Sequence, residues 1–178
     1  YTPKYNADFL KALQNVSDHK YTILTDAGSS DGIEFDKSLS AFNLVNAPII
    51  KFKGLWYSTQ LITYLISHKP DIFIVNGNPR DFGSLLVMFL GMFMGTKVVA
   101  WGMWHRIGRP KVYTNFYFWL CGVICNANFS YARVGKVSQV ARGIHPSKVH
   151  IIGTAIGDIF GTESCNTDKK NRLLLELG

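Results

Sequence analysis

Apolar residues recur along this chain in two rhythms, helical spacing and short unbroken runs, and the two alternate. Residues 6–16 carry Phe9, Leu10, Leu13 and Val16 at the spacing of an amphipathic helix. Residues 21–24 read as a strand, closed by the turn formers of 26–32. Residues 34–48 show no clear period, and 49–52 form a second strand-like run. Residues 55–67 are expected to be helical, with Leu55, Thr59, Ile62 and Ile66 on the inner face. His68 and Lys69 suit the end of that helix and Pro70 stops it.

The stretch from 70 to 106 is the most strongly patterned. Residues 72–75 are apolar and partly β-branched, and Asn76-Gly77-Asn78-Pro79 closes them. Asp81 can cap the next helix and Gly95 can end it. The window 85–94 is apolar on every side, which predicts a helix buried all round. Residues 97–101 form another strand, followed by Gly102-Met103-Trp104-His105-Arg106. Strand, helix and strand make a βαβ unit, so the two strands are expected to be parallel and covered on both faces. Ligands of open parallel sheets bind at the carboxyl ends of strands, which points to Asn76–Asn78 and the 102–106 segment.

Residues 112–125 read as a helix rich in aromatics, started by Pro110. Tyr113, Phe116, Tyr117 and Trp119 are expected in the core, with a lipid-facing position as the alternative. A short strand at 128–131 precedes a helix at 134–142, with Val134, Val137, Val140 and Ala141 inward. Gly143 suits its end, Pro146-Ser147 makes a turn, and 149–152 form another strand. Residues 161–170 are polar and linker-like, and 172–177 begin a further helix. This alternation predicts an α/β domain with a mainly parallel sheet. The opening helix and the closing linker both suggest one half of a larger protein.

Charge and cysteine usage narrow the picture. The 178 residues carry a formal net charge of +7. No Asp or Glu falls between Asp81 and Asp158, an interval that holds Lys97, Arg106, Arg109, Lys111, Arg133, Lys136, Arg142 and Lys148. Such a segment favours anionic partners: phosphate-bearing substrates, anionic lipid or nucleic acid. No RNA- or DNA-binding signature accompanies it, and the glycines of 26–32 match no nucleotide-binding loop. Cys121 and Cys125 read as small buried hydrophobes, and three cysteines make no disulfide framework, which favours a reducing compartment. No apolar window reaches the roughly 20 residues of a membrane span, and 1–13 lack a secretory signal. His19, His68, His145 and His150 are scattered, so no metal is expected.

Several segments resemble the N-terminal domain of GT-B glycosyltransferases of the family 4 type. The main carrier is 131–158, where Gly143-Ile144, Lys148-Val149, Ile151-Ile152 and Thr154-Ala155-Ile156-Gly157-Asp158 follow the family's order and spacing. Pro70-Asp71-Ile72 is family-like, as is Pro3-Lys4-Tyr5 with Phe9 and Leu13. Lys97-Val98-Val99-Ala100-Trp101-Gly102 is similar to a run in bacterial members that build surface polysaccharides. The resemblance implies a Rossmann-like three-layer domain, one half of a GT-B architecture. It places an N-terminal glycosyltransferase domain at 1–160, then a linker and the start of a C-terminal donor-binding domain at 161–178.

It also implies an acceptor-binding half of a retaining, sugar-nucleotide-dependent glycosyltransferase for cell-surface polysaccharide or lipid-linked glycan. Such a half is inactive without its partner domain, which binds the sugar nucleotide, and it needs neither cofactor nor metal. Many members carry a histidine directly after the strand equivalent to 98–101. Here Met103 stands in that place and His105 follows two residues later, making His105 the catalytic candidate, with a structural histidine as the other reading. Asn76, Asn78, Trp104, Arg106 and Arg109 are the candidates for acceptor binding. The expected location is cytoplasmic, with peripheral contact to an anionic inner membrane face and no nucleic acid partner. The competing expectation is a non-enzymatic α/β module that binds nucleic acid or anionic lipid through the basic middle.

Overall fold

The computed structural model describes residues 19–26, 42–105 and 111–152. The expected first helix at 6–16, most of the loop at 26–32, Arg106, Arg109 and everything after 152 lie outside the described residues.

Strands β1 (Thr22–Thr25) and β2 (Asn43–Asn46) pair in parallel, Thr22 opposite Asn43 through Thr25 opposite Asn46. Strand β2 falls in the stretch with no readable period, because most of its side chains are exposed and leave no alternation in the sequence. Strands β3 (Ile50–Phe52) and β4 (Leu55–Tyr57) form an antiparallel hairpin with Phe52 opposite Leu55. The expected helix over 55–67 therefore starts late. Lys53 and Gly54 take φ values of 47° and 80°, the pair of positive values that a two-residue hairpin turn requires. That turn claims 55–57 for a strand, and helix α1 runs only over Thr59–His68. Its inner face also differs from expectation. Leu65 is fully buried, with Leu61, Ile62 and Tyr64 packed beside it, while Ile66 is exposed. Lys69 closes the helix in the left-handed region, and its N–H bonds to the Leu65 carbonyl at 3.0 Å.

The main sheet contains β5 (Ile72–Asn76), β6 (Lys97–Gly102), β7 (Ala127–Ser130) and β8 (Val149–Ile151), in that spatial order and all parallel. Helices α2 (Phe82–Met94), α3 (Val112–Ile124) and α4 (Arg133–Ala141) connect them in turn. Every crossover steps to the next strand in the same direction, and right-handed connections of this kind put all three helices on one face of the sheet. Phe73, Val75, Val98 and Ala100 meet Val87, Met88, Phe118, Cys121 and Cys125 between sheet and helices. Side chains of this size, fully buried, contribute about 1.5–3 kcal/mol each. The covering of the other face is incomplete. In β5, Phe73 and Val75 are buried but Ile72 and Ile74 are exposed, so the expectation of two covered faces fails at this strand.

Helix α2 has the expected caps and an unexpected surface. Asp81 accepts from the Ser84 N–H at 2.9 Å and from the Ser84 hydroxyl at 2.7 Å, and Gly95 ends the helix at φ 76°. The helix is not buried all round. Gly83, Ser84, Val87, Met88 and Gly91 face inward, while Phe82, Phe89, Met92 and Phe93 are exposed. A helix in a single layer buries one side on the sheet and its flanks on neighbours, which leaves the outward row uncovered.

Helix α4 is where its sequence predicts it, but turned over. Val134, Val137, Val140 and Ala141 point outward, and the inward positions are Gly135 and Gln139. Space and polar bonding decide this. A side chain at Gly135 would collide with the Ser130 hydroxyl and the Met103 carbonyl. Gln139 donates to the Phe118 carbonyl at 3.1 Å. Beyond the helix, Gly143 has φ 86° and Ile144 packs against Gly122 of α3. A 3₁₀ turn, Pro146–Lys148, leads into β8.

Burial raises the Asp81 carboxyl above its ordinary value, against the opposing pull of the two Ser84 hydrogen bonds. The folded carboxyl thus holds its proton more tightly than the unfolded one. Its contribution to stability is present below the ordinary carboxylate range and is lost as pH rises through the raised folded value. Asp81→Asn keeps the cap and removes the buried charge, whereas Asp81→Ala loses the cap at a cost of about 1 kcal/mol. Chemical denaturation at neutral pH should find the Asn variant at least as stable as the parent and the Ala variant less so. The parent–Asn difference should shrink in acid.

Candidate functional site at the carboxyl edge of the sheet

The chemistry-bearing residues collect at the carboxyl ends of β5 and β6. Asn76 is the last residue of β5 and lies exposed, in register with Trp101. Gly77 follows and donates its N–H to the Trp101 carbonyl at 2.8 Å. Asn78 builds the turn into α2. Its side-chain oxygen accepts from the Arg80 N–H at 3.0 Å and its carbonyl from the Asp81 N–H at 2.9 Å. Asn78 is partly exposed.

Trp104 occupies the centre of this edge, but not as a ligand-contacting residue. Expected at the acceptor, it is fully buried, and its ring is closed to a ligand. It fills the slot beneath Gly77, where any Cβ would collide with the indole. Its ring N–H donates to the Phe129 carbonyl at 2.7 Å, and its ring meets Phe118 edge-on at 5.7 Å. Its backbone lies in the left-handed region, φ 59°, a conformation that costs a bulky residue of order 1–3 kcal/mol and persists only where surroundings enforce it.

Arg142, which its sequence position gave no reason to select, supplies part of that enforcement. One guanidinium nitrogen donates to the carbonyls of Trp104 at 3.0 Å and Ser138 at 2.8 Å, and the other to Asn115 Oδ1 at 2.9 Å. The guanidinium also lies 5.3 Å from the Phe118 ring centre. Burial lowers its pKa, and the three oxygens are the compensation for a cation withdrawn from water. The signal for Arg142 is visible only with hindsight: 135, 139 and 142 share one helical face, the face that carries no valine.

Held this way, the chain turns at Trp104 and presents His105 at the rim, half-exposed. Its Nδ1 lies 2.9 Å from the Met103 carbonyl. A carbonyl only accepts, so Nδ1 is the donor in this bond and Nε2 is the ring nitrogen left for a ligand. Met103, in the position where a histidine is frequent in the resembled family, is exposed beside it. Asn76, Asn78 and His105 are thus brought to one edge, while Arg106 and Arg109 lie outside the described residues.

The cysteines belong to the core. Cys121 and Cys125 are fully buried, Cys121 lies 3.7 Å from the Met88 sulfur, and burial pushes both thiols up, Cys125 to about 12. A small recess of about 150 Å³, lined by Met88, Met92, Thr96, Lys97 and Asn126 among others, opens at the opposite edge. It is too small for a substrate of any size and lies at the wrong ends of the strands.

The sequence matches no family profile and no curated protein. Among solved structures, MnaA of S. aureus, determined with UDP, aligns over 87% of this chain at 17% identity and a TM-score of 0.56. UDP-GlcNAc 2-epimerase from Methanocaldococcus jannaschii aligns over 53% at 18% identity, and UDP-N-acetylglucosamine 2-epimerase from Rickettsia bellii over 64% at 12%, both with a TM-score of 0.43. The aligned parts are 42%, 26% and 27% of those chains, so this chain spans less than half the length of each. The MnaA likeness and the four-stranded parallel sheet define a Rossmann-like α/β domain of GT-B-like type.

Two substitutions probe the scaffold of the site. Gly77→Ala forces the Trp104 ring out of its slot and should destabilise by about 1–3 kcal/mol, read as a lowered denaturation midpoint with altered tryptophan fluorescence. Arg142→Lys keeps the charge but not the fork that reaches three oxygens. It should cost about 1.5–3 kcal/mol in the same measurement.

Proposed function

We propose that this chain is the acceptor-binding half of a retaining, sugar-nucleotide-dependent glycosyltransferase that builds cell-surface or lipid-linked glycan. The observation carrying this reading is the carboxyl edge itself. Asn76, Asn78 and His105 lie at this one edge, next to a backbone braced by Trp104 and Arg142. Hydroxyl-rich ligands are recognised by neutral amide and imidazole groups of this kind, and the bracing supplies the positioning that transfer between two bound substrates needs. The resemblance of 131–158 to family 4 enzymes supports the same reading, as does a fold shared with a protein solved with UDP.

In this proposal the sugar nucleotide binds mainly to a second Rossmann-like domain of the parent polypeptide. The acceptor lies along Asn76 and Asn78, and His105 Nε2 accepts a hydrogen bond from a sugar hydroxyl at the reacting centre. Arg106 and Arg109 are the cations proposed for the diphosphate or an acceptor phosphate, where positive charge stabilises the departing group. A second reading, an enzyme that converts a UDP-sugar without transferring it, is favoured by the MnaA likeness alone.

His105→Ala in the full-length protein, assayed with a sugar nucleotide and a lipid-linked acceptor, should lower kcat by about 100-fold or more and leave donor affinity unchanged. Unchanged turnover removes His105 from the mechanism. A glycan product that retains anomeric configuration supports transfer, and a converted UDP-sugar formed without acceptor supports the second reading.

A further inference from the structure

The helix layer over the main sheet is apolar on its outside. On α2, Phe89 and Phe93 lie on the outward row, Phe93 at 79% exposure. On α3 the outward row is Val112, Phe116, Trp119 and Val123, with Val112 at 86% and Phe116 at 58%. The two helices are in contact and start at the same edge of the sheet, so the rows run side by side. The overturned α4 continues the surface, with Val137 at 60% exposure. Single exposed hydrophobes are ordinary, but parallel rows on adjacent helices mark a surface that meets another apolar phase.

Charge indicates which phase. From Phe82 to Gly157 the chain has no carboxylate side chain. Cations stand at both ends of the rows. Arg80 and Lys111 are exposed where α2 and α3 begin, and Lys97 is exposed where α2 has ended. Lys148 donates to the Val123 carbonyl at 3.0 Å, at the far end of α3. Two copies of this face brought together would oppose like charges with no acid to answer them. An anionic lipid surface answers the cations and receives the apolar rows, with the Trp119 and Tyr113 rings at headgroup depth. No helix among the described residues is long and apolar enough to cross a membrane, so the contact is with one leaflet.

We infer that the outward face of α2–α4 docks this domain on an anionic membrane surface, with its apolar rows in the headgroup–acyl boundary and its lysines and arginines on the lipid phosphates. The inference is independent of the proposed catalytic role.

The test is co-sedimentation of the full chain with phosphatidylcholine vesicles, with and without phosphatidylglycerol. Binding should require phosphatidylglycerol and weaken as salt rises. Phe93→Ser, Phe116→Ser and Trp119→Ser should each lower the partition coefficient about tenfold, because each removes an exposed ring that the lipid would otherwise bury. Failure of the parent protein to bind phosphatidylglycerol vesicles overturns the inference whatever the variants do. So does binding that all three variants leave intact. A dimer seen by sedimentation velocity, broken by the same substitutions in a protein that ignores vesicles, overturns it in favour of a second copy of the chain.

Discussion

The left-handed turn at Trp104 is the constraint on which the carboxyl edge depends. One residue after β6 takes a left-handed backbone, and four residues from elsewhere in the chain hold it there. The slot comes from the missing side chain at Gly77, the indole acceptor from Phe129 of β7, the ring contact from Phe118 of α3, and the carbonyl donor from Arg142 beyond α4. Each interaction is modest alone. Together they exceed the cost of a conformation that a tryptophan seldom adopts. His105 has its place because of them.

This bracing ties the site to the face of α4. Gly135 admits the Met103 carbonyl, Gln139 takes the Phe118 carbonyl, and Arg142 takes that of Trp104. The inward side of the helix is therefore occupied by groups that serve the backbone of its neighbours, and the valines are displaced to the outside. The basic, apolar exterior and the braced interior are two sides of one helix, both set by where polar groups are needed.

Much of the fold was legible in the sequence, for reasons that can be named. Short β-branched runs between turn formers gave β5, β6 and β8, and Asp81 and Gly95 marked both ends of α2. What failed was the choice of face. Helical spacing finds a row of valines in 134–141 but carries no information on whether a glycine opposite them admits a closer neighbour. The hairpin at 50–57 was missed because Lys-Gly is a weaker turn signal than Asn-Gly, and Leu-Trp-Tyr suits a helix as well as a strand. At the candidate site, the turn formers after β5 and the short segment after β6 put Asn76, Asn78 and His105 at the carboxyl ends of the strands, where they lie. The sequence misjudged Trp104, whose aromatic character suits a sugar-stacking platform as well as a buried brace, and it marked Arg142 only as one cation of the basic middle, because the carbonyl that it holds lies 38 residues away.

The two thiols at the end of α3 have a consequence for how this domain can be watched. Cys121 and Cys125 sit between helix and sheet with no exposed surface, and burial holds them in the unreactive thiol form. A thiol reagent reaches them only when α3 lifts from the sheet. Their labelling rate is therefore a clock for the opening of this core, and it separates that motion from fraying elsewhere in the chain.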